Sequence, residues 1–273
     1  MLHAAGVIVG LLLGLVATKL ADVLPGRYDI THLVTGAKRT RRNVVVVALV
    51  TACCVGIAHV LSGASGLTFV HAVLLLAFHG TVAMMILCAS AIDLEHMILP
   101  NELTLGGALL CVVTSPLRSI GIADSAIGAV TGFVIAYVPF WIYKRIRGRS
   151  GMGLGDAMFA VLAGAWFGPL GAVLVLFGGA MLMPLATVVL HLLRIEYTVP
   201  DSVVADIAEL RKQAEAGDAD AKSALEDDPM AADVADGVLG TRLPLGPFLA
   251  LASLVLLFAR RPIESAVRAF LSG

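Results

Sequence analysis

The feature that most constrains this chain is a series of apolar stretches that approach the length of a bilayer crossing. A helix needs roughly 20 apolar residues to cross the hydrocarbon core. Eight stretches come near that length: residues 4–24, 44–62, 68–92, 103–122, 125–143, 157–168, 170–193 and 243–260. Charged residues make up only 14% of the chain, against about 25% in soluble domains. The sequence therefore predicts an all-α polytopic membrane protein with about eight transmembrane helices.

The stretch from Ala157 to Leu193 is too long for one crossing. As a single helix its 37 residues would extend about 55 Å. We expect a break at Gly168-Pro169, because the residue before a proline is pushed out of the helical region. This division leaves a short sixth helix, for which a full crossing of the bilayer is not expected.

The charged residues divide the chain into three parts. Residues 194–242 carry 12 of the 20 acidic residues and 5 of the 19 basic ones, a net charge of −7, and the remainder has a net charge of +6. We therefore predict a membrane domain over 1–193, an acidic cytoplasmic insert over 194–242, and a last transmembrane helix with a C-terminal tail over 243–273. The apolar spacing from Val203 to Leu225 predicts one or two short amphipathic helices, with a break at Gly217-Asp218. The insert fits either a solvated linker or a docking surface for a basic partner.

Lysine and arginine in the short loops predict how the chain is oriented in the membrane. Five of them lie between Arg27 and Arg42 and four between Lys144 and Arg149, while the loop 62–67 has none. Both basic loops are expected in the cytoplasm, which places the N-terminus outside. We expect the first apolar stretch to be a retained span, because no basic residue precedes it and no small-residue cleavage site follows. With this orientation the outer side carries Arg260, Arg261 and Arg268, which disagrees with the positive-inside rule.

No metal site, cofactor or disulfide framework is predicted. The cysteines lack the C-x-x-C spacing of a zinc or redox site, so we expect buried, inert thiols at Cys53, Cys54, Cys88 and Cys111. His71 and His79 lie on one face of the third span without an evident third ligand, and we expect them to be buried and hydrogen-bonded.

Two aspartates stand at the ends of apolar stretches, Asp93 and Asp156. Ionisable groups near hydrocarbon are costly, and those that persist usually pair with a partner or take part in chemistry. Two spans separate the aspartates, so the chain returns to the same face of the membrane between them. Pro100 predicts that the third helix ends soon after Asp93, with Asn101 as a cap of the next helix. Asp156 opens the sixth helix after three glycines, at 151, 153 and 155.

A pair of carboxyls that meet can activate a water molecule. The pair shares one proton over a wide pH range, since two nearby carboxylates cannot both ionise cheaply. The ionised member takes a proton from water while the protonated member hydrogen-bonds a substrate carbonyl. Because the helix dipole favours a charged group at a helix N-terminus, we assign Asp156 as the base and Asp93 as the acid, with the reverse left open. Taken singly, each aspartate also fits an ordinary cap or an interfacial charge.

The local sequences around both aspartates resemble a known family. Residues Ile92 to Asn101, Ile-Asp-Leu-Glu-His-Met-Ile-Leu-Pro-Asn, are similar to the first aspartate motif of the type IV prepilin peptidases. Gly153-Leu154-Gly155-Asp156 matches the G-x-G-D motif of these membrane aspartyl proteases. Segments 162–168 and 243–248 also resemble family segments.

The resemblance implies an endopeptidase in the inner membrane that removes short basic leaders from prepilins or pseudopilins at the cytoplasmic face. It implies Asp93 and Asp156 as the catalytic dyad, and Gly153 and Gly155 as residues that shape the substrate-binding loop. Glu95 and Glu102 lie near enough in sequence to meet a basic leader, although a role as surface charges fits them too. The implied partners are the prepilin substrates and the lipid bilayer, with no cofactor and no nucleic acid.

The chain departs from the family pattern in three places. The segment from Arg27 to Asn43 is short and has no cysteine, whereas bifunctional members carry a cysteine-bearing domain there. We therefore expect a peptidase without N-methyltransferase activity. Many members also have a lysine where this chain has Met158, and the acidic insert has no obvious counterpart. Two readings from other classes remain, namely an ion- or proton-coupled transporter and an assembly scaffold that docks through the insert.

Overall fold

A computed structural model describes residues 1–28, 30, 33–64, 66–118, 120–147, 153–195, 199–227 and 243–272. Throughout these ranges the regular structure is helical, without strands, which confirms the predicted all-α class. The α-helices are α1 (Leu2–Val23), α2 (Gly36–Ser62), α3 (Phe69–His96), α4 (Asn101–Val113), α5 (Ile122–Arg147), α6 (Leu154–Phe167), α7 (Pro169–Leu192), α8 (Asp201–Glu215), α9 (Ala219–Asp227) and α10 (Gly246–Ser272).

The predicted apolar stretches correspond to eight of these helices. Within the described residues, α1, α2, α3, α5 and α7 are long and apolar enough to cross a bilayer. Three shorter apolar helices accompany them: α4, α6 and the part of α10 from Gly246 to Ala259. The chain is therefore a multi-pass membrane protein, although three of its apolar helices are shorter than a full crossing. Ala259 interrupts α10 with non-helical dihedral angles. The side chains that follow it, including those of Arg260, Arg261 and Arg268, lie outside the described part.

The break between α6 and α7 lies at the predicted Gly168-Pro169. Gly168 has a φ of 82°, in a region that glycine adopts without a steric penalty. Pro169 begins α7, where the missing N–H of proline sacrifices no helical hydrogen bond. Helix α6 has 14 residues and is thus about 21 Å long.

Two helix boundaries differ from the predicted ones because charged side chains find partners inside the protein. Helix α2 begins at Gly36 rather than near residue 44. Lys38 to Arg42 therefore lie on its first turns and not in a loop. Arg42 forms an ion pair with Asp22 on α1 and another with Glu95 on α3, at 2.9 Å for the second. These acids allow a basic helix start to pack against the ends of apolar helices.

Helix α4 ends at Val113, well before the predicted residue 122. A 3-10 turn over Ser115–Leu117 follows, and Arg118 then folds inward, where only 8% of it is exposed. At the start of α4, Pro100 holds the N-cap position and Asn101 is the first helical residue, so the expected Asn101 cap is wrong by one residue.

Helix α3 packs against α1, α2, α4 and α10 and is the most buried of the long helices. In the most apolar 18-residue stretch of α3, 67% is buried, against 11–33% of the corresponding stretch in the other four long helices. One end of the bundle joins α1 to α4, where Asn101 N–H donates to Tyr28 Oη at 2.8 Å. The other end joins α3 to the turn after α4, where His71 Nε2 lies 3.1 Å from the carbonyl oxygen of Leu117. Successive apolar helices therefore run in opposite directions.

The predicted insert contains the two helices α8 and α9. They separate at Gly217, whose φ is 99°, as the glycine break predicted. Helix α8 packs against the end of α3. Residues 196–198 and 228–242 of the predicted insert lie outside the described residues.

Candidate active site

Asp93 lies in the last turn of α3. It is buried, with 5% of its surface exposed. Helix α3 ends three residues later because Met97 turns into the left-handed region, with φ 54°, which is uncommon for a residue with a side chain. In this cap the Met97 N–H donates to the Asp93 carbonyl oxygen at 2.9 Å. The backbone of Asp93 is thus fixed by the turn that follows it.

Asp156 is the third residue of α6 and is half-buried. Its backbone N–H donates to the Gly153 carbonyl oxygen at 3.3 Å, the first bond of the helix start. Free N–H groups and the helix dipole favour a negative charge at this position. The predicted placement of Asp156 at the opening of the sixth helix is therefore correct.

The structure brings the two carboxyls together from separate helices. Asp93 and Asp156 are close enough to interact electrostatically. A third element joins them at the start of α10, where the Gly246 N–H donates to Asp93 Oδ2 at 2.9 Å. Leu99 packs between the two sides: a methyl group added to Gly155 would lie 2.9 Å from Leu99 Cβ, and one added to Gly246 would lie 3.0 Å from Leu99 Cδ2.

The contact from Gly246 was not assigned from the sequence. The sequence of segment 243–248, Leu-Pro-Leu-Gly-Pro-Phe, shows a resemblance to the family but does not indicate a contact with Asp93. The sequence signal for this contact is the glycine itself, because it begins α10 at the end of the bundle where both aspartates lie. A Cβ at this position would lie 2.5 Å from Asp93 Oδ2, so only glycine allows this close approach.

Both glutamates predicted to meet a substrate have partners within the protein. Glu95 pairs with Arg42 on α2, as described above. Glu102, in the first turn of α4, accepts a hydrogen bond from Tyr28 Oη at 2.8 Å and lies 3.5 Å from Arg27. Glu102 is the more exposed of the two, with 38% of its side chain accessible.

The glycine loop before α6 is only partly described. Gly153 is exposed, and a Cβ added to it would lie 3.7 Å from Asp156 Oδ2. Gly155 is half-buried against Leu99. Gly151 falls outside the described residues.

His71, His79 and the four cysteines have no contact with the dyad among the described hydrogen bonds. His79 Nδ1 accepts a hydrogen bond from Trp166 Nε1 at 3.0 Å, and His71 contacts the Leu117 carbonyl as noted above. Both are hydrogen-bonded as predicted, but they are half-buried rather than fully buried. The cysteines are free thiols, three of them buried and Cys53 half-buried. Across the described ranges, no three His, Cys, Asp or Glu side chains cluster as metal ligands would.

Two carboxyls lie near each other at one end of the apolar bundle, Asp93 buried and Asp156 half-buried. A backbone N–H donates to one carboxylate oxygen of Asp93. These are the groups required for the hydrolysis of an amide by water.

Comparisons with known proteins match the segment that contains this site. Residues 80–188 match the model of the type IV leader peptidase family. A relative in Aeromonas hydrophila named prepilin leader peptidase/N-methyltransferase is 36% identical over 97 residues, which cover 33% of this chain and 33% of the relative. A protein of the same name in Stutzerimonas stutzeri is 27% identical over 173 residues, which cover 63% of this chain and 46% of the relative. No solved structure matches the chain.

The matched residues cover about a third of the length of the first relatives. The match begins inside α3 at Gly80, ends inside α7, and includes the Asp93 motif, α4, α5 and the G-x-G-D motif. Through this segment the chain is similar to the type IV leader peptidase family.

Proposed function

We propose that the protein is a membrane aspartyl endopeptidase that removes basic leader peptides from type IV prepilins or pseudopilins. The observation that carries this proposal is the convergence of Asp93 and Asp156 from two helices beside the Gly246 N–H. The family match covers both aspartates, and the names of the relatives describe this activity.

In the proposed reaction the dyad carries one proton, because two adjacent carboxylates are costly to ionise together. The ionised aspartate takes a proton from a water molecule, which attacks the scissile carbonyl carbon. The protonated aspartate donates its proton to the carbonyl oxygen, and the tetrahedral intermediate collapses as the amine nitrogen is protonated. Because Asp93 Oδ2 accepts the Gly246 N–H, the proton of a neutral Asp93 is expected on Oδ1. The assignment of Asp93 as the acid and Asp156 as the base rests on the helix dipole, which favours the negative charge on Asp156.

We propose that the dyad faces the cytoplasm, where it meets the leader before the rest of the substrate. The same end of the bundle carries the basic start of α2 and the basic end of α5, and the positive-inside rule places such ends in the cytoplasm. The exposed carboxylate of Glu102 lies at this end and is the group that we assign to the leader.

The proposal is limited to the peptidase activity. The names of the relatives also include an N-methyltransferase. In this chain the segment from Arg27 to Asn43 has no cysteine, and α2 already begins within it at Gly36.

A cleavage assay tests the proposed function. Detergent-solubilised wild-type protein is expected to shorten a prepilin with a basic leader, whereas Asp93→Asn and Asp156→Asn each abolish cleavage with unchanged thermal unfolding. Asp124→Asn is the matched control, because Asp124 is an exposed aspartate in the first turn of α5 and remote from the dyad. Full cleavage by either dyad variant would overturn the aspartyl mechanism. Proton flux in liposomes without proteolysis would support a transporter instead.

A further inference from the structure

Helix α8 of the acidic insert docks on the last turn of α3, the helix that carries Asp93. The proposed hydrolysis does not use this contact. Three kinds of interaction hold it: one hydrogen bond to the backbone, one apolar cluster, and charges at the edges.

The hydrogen bond reaches the backbone of α3 directly. Ser202 Oγ donates to the Glu95 carbonyl oxygen at 2.8 Å. Carbonyls in the last turn of a helix lack a helical donor, so α8 satisfies one of the groups that the end of α3 leaves free. Ser202 is itself buried, and water competes little for this bond.

The apolar cluster surrounds the residue that ends α3. Val199, Val203 and Ile207 are buried, and Met97 packs against them. Met97 is the residue in the left-handed conformation, which is sterically unfavourable unless the surroundings hold it. The docked α8 is what covers the Met97 side chain.

Charges accompany the apolar contact. His96 is 4% exposed, and the carboxylate of Asp206 on α8 is near enough to interact with it. At the edge, Lys38 on α2 lies 3.6 Å from Asp201 at the start of α8. That ion pair is exposed, so it contributes little to the stability of the contact.

The residues next to Met97 connect this contact to the dyad. Ile98 and Leu99 follow Met97, and Leu99 packs against Gly155 and Gly246. Gly155 precedes Asp156, and Gly246 donates to Asp93. The position of Leu99 therefore affects the environment of both carboxyls, and α8 fixes the start of the loop that holds it.

We propose that α8 is a positioning element for the dyad, which acts by holding the loop of Met97, Ile98, Leu99 and Pro100 in its packed conformation. This inference rests on the proposed function, since the effect is read through peptide cleavage. When α8 is released, Leu99 loosens, and the two carboxyls lose the geometry that the reaction requires. A shift of about 1 Å in a catalytic group can cost about 100-fold in rate.

Val203→Asp tests the proposal. It places a charge in the buried cluster, whereas an aspartate in the first turn of a helix favours helix formation, so α8 is expected to undock rather than unfold. We expect kcat for leader cleavage to fall about ten- to 100-fold with KM changed less than twofold. The amide hydrogen of Met97 is expected to exchange faster, because its bond to the Asp93 carbonyl opens. Val203→Ile is expected to keep wild-type values for both measurements.

Ala208→Asp is the matched control, since Ala208 is exposed on the same helix and receives the same charge. It is expected to change neither kcat nor the exchange rate of the Met97 amide hydrogen. Unchanged exchange at Met97 in Val203→Asp would overturn the proposal, as would faster exchange with unchanged kcat. A raised KM with unchanged kcat would also overturn it, because the insert would then bind the leader. If the wild-type protein cleaves no prepilin, the proposed function fails, while the exchange experiment still decides whether α8 holds the loop.

Discussion

At the residue scale, the candidate site depends on a close contact between the Asp93 carboxylate and the backbone of Gly246. The carboxylate is buried and receives one backbone N–H, from Gly246. That N–H can approach because the position has no side chain. The site therefore requires a glycine at a helix start more than 150 residues away in sequence from the aspartate that it contacts.

Gly246→Ala is expected to reduce peptide cleavage by about 100-fold or more, because the new methyl group would lie 2.5 Å from Asp93 Oδ2 and displace it. The measurement is kcat/KM on a prepilin with a basic leader. Gly106→Ala is the control, since its methyl group would meet nothing closer than Met85 Cε at 3.7 Å. Wild-type activity in Gly246→Ala would show that the contact to Asp93 has no part in the reaction.

The aspartates themselves could be predicted from the sequence, and their partners could not. Their place at the ends of apolar stretches singled them out, and parity put them on one face. Parity does not show which helix ends are neighbours, so neither Gly246 nor Leu99 was assigned to the site. The partners of Glu95 were missed for a similar reason. The loop charges predict a loop at Arg42, whereas it lies on α2 and pairs with Glu95 on α3.

At the element scale, α6 is a short helix enclosed by its neighbours. Its backbone is in direct contact with α5 at Gly128 and Gly164, where a Cβ on either residue would overlap the other helix. Small residues allow such close packing of helices in membranes. The end of α6 opposite Asp156 is held by Arg118, whose guanidinium donates to the carbonyls of Trp166, at 2.5 Å, and Ala165.

Arg118→Met is expected to destabilise the protein by about 3 kcal/mol, because hydrogen bonds to a charged group are lost and the carbonyl of Trp166 loses the donor that Arg118 supplies. The melting temperature in detergent is expected to fall by about 5–10 °C. Arg27→Met is the control, since Arg27 forms an exposed ion pair with Glu102, worth at most about 1 kcal/mol. Equal melting temperatures for the two variants would contradict the role of Arg118 as a donor to the carbonyls at the end of α6.

The break between α6 and α7 was predictable because glycine and proline act locally. The end of α4 was not, because it depends on where Arg118 folds. The fourth apolar stretch, 103–122, contains Arg118, and a charged residue there shortens the span without showing where the helix ends. In the structure the chain turns at Ser115–Leu117 so that this side chain can reach the end of α6.

At the scale of the whole molecule, the alternating bundle places the dyad and the insert at one end. Cysteine labelling in a variant without native cysteines tests this arrangement and its orientation. A membrane-impermeant maleimide is expected to label Ala64→Cys in intact cells and Lys212→Cys only after permeabilisation. Both positions are exposed, one in the loop after α2 and the other on α8. Labelling of both sites in intact cells would contradict their separation by the bilayer, and the reverse pattern would contradict the proposed cytoplasmic face.

The number of apolar helices and their order were predictable from hydropathy, since backbone groups in lipid must be paired within a helix. The burial of α3 at the centre was not, because its composition is no more apolar than that of its neighbours. Docking of α8 on α3 also escaped prediction. An amphipathic pattern shows that a helix has an apolar face and does not show what covers it.

The short α4 has a consequence for the surrounding lipid. Its 13 residues extend about 20 Å, and Leu105, Leu109 and Val113 face outward, while the hydrocarbon core measures about 30 Å. Thinning of the adjoining bilayer is one way to accommodate a short helix. Thinning beside α4 would bring lipid headgroups and their water closer to the level at which hydrolysis would take place.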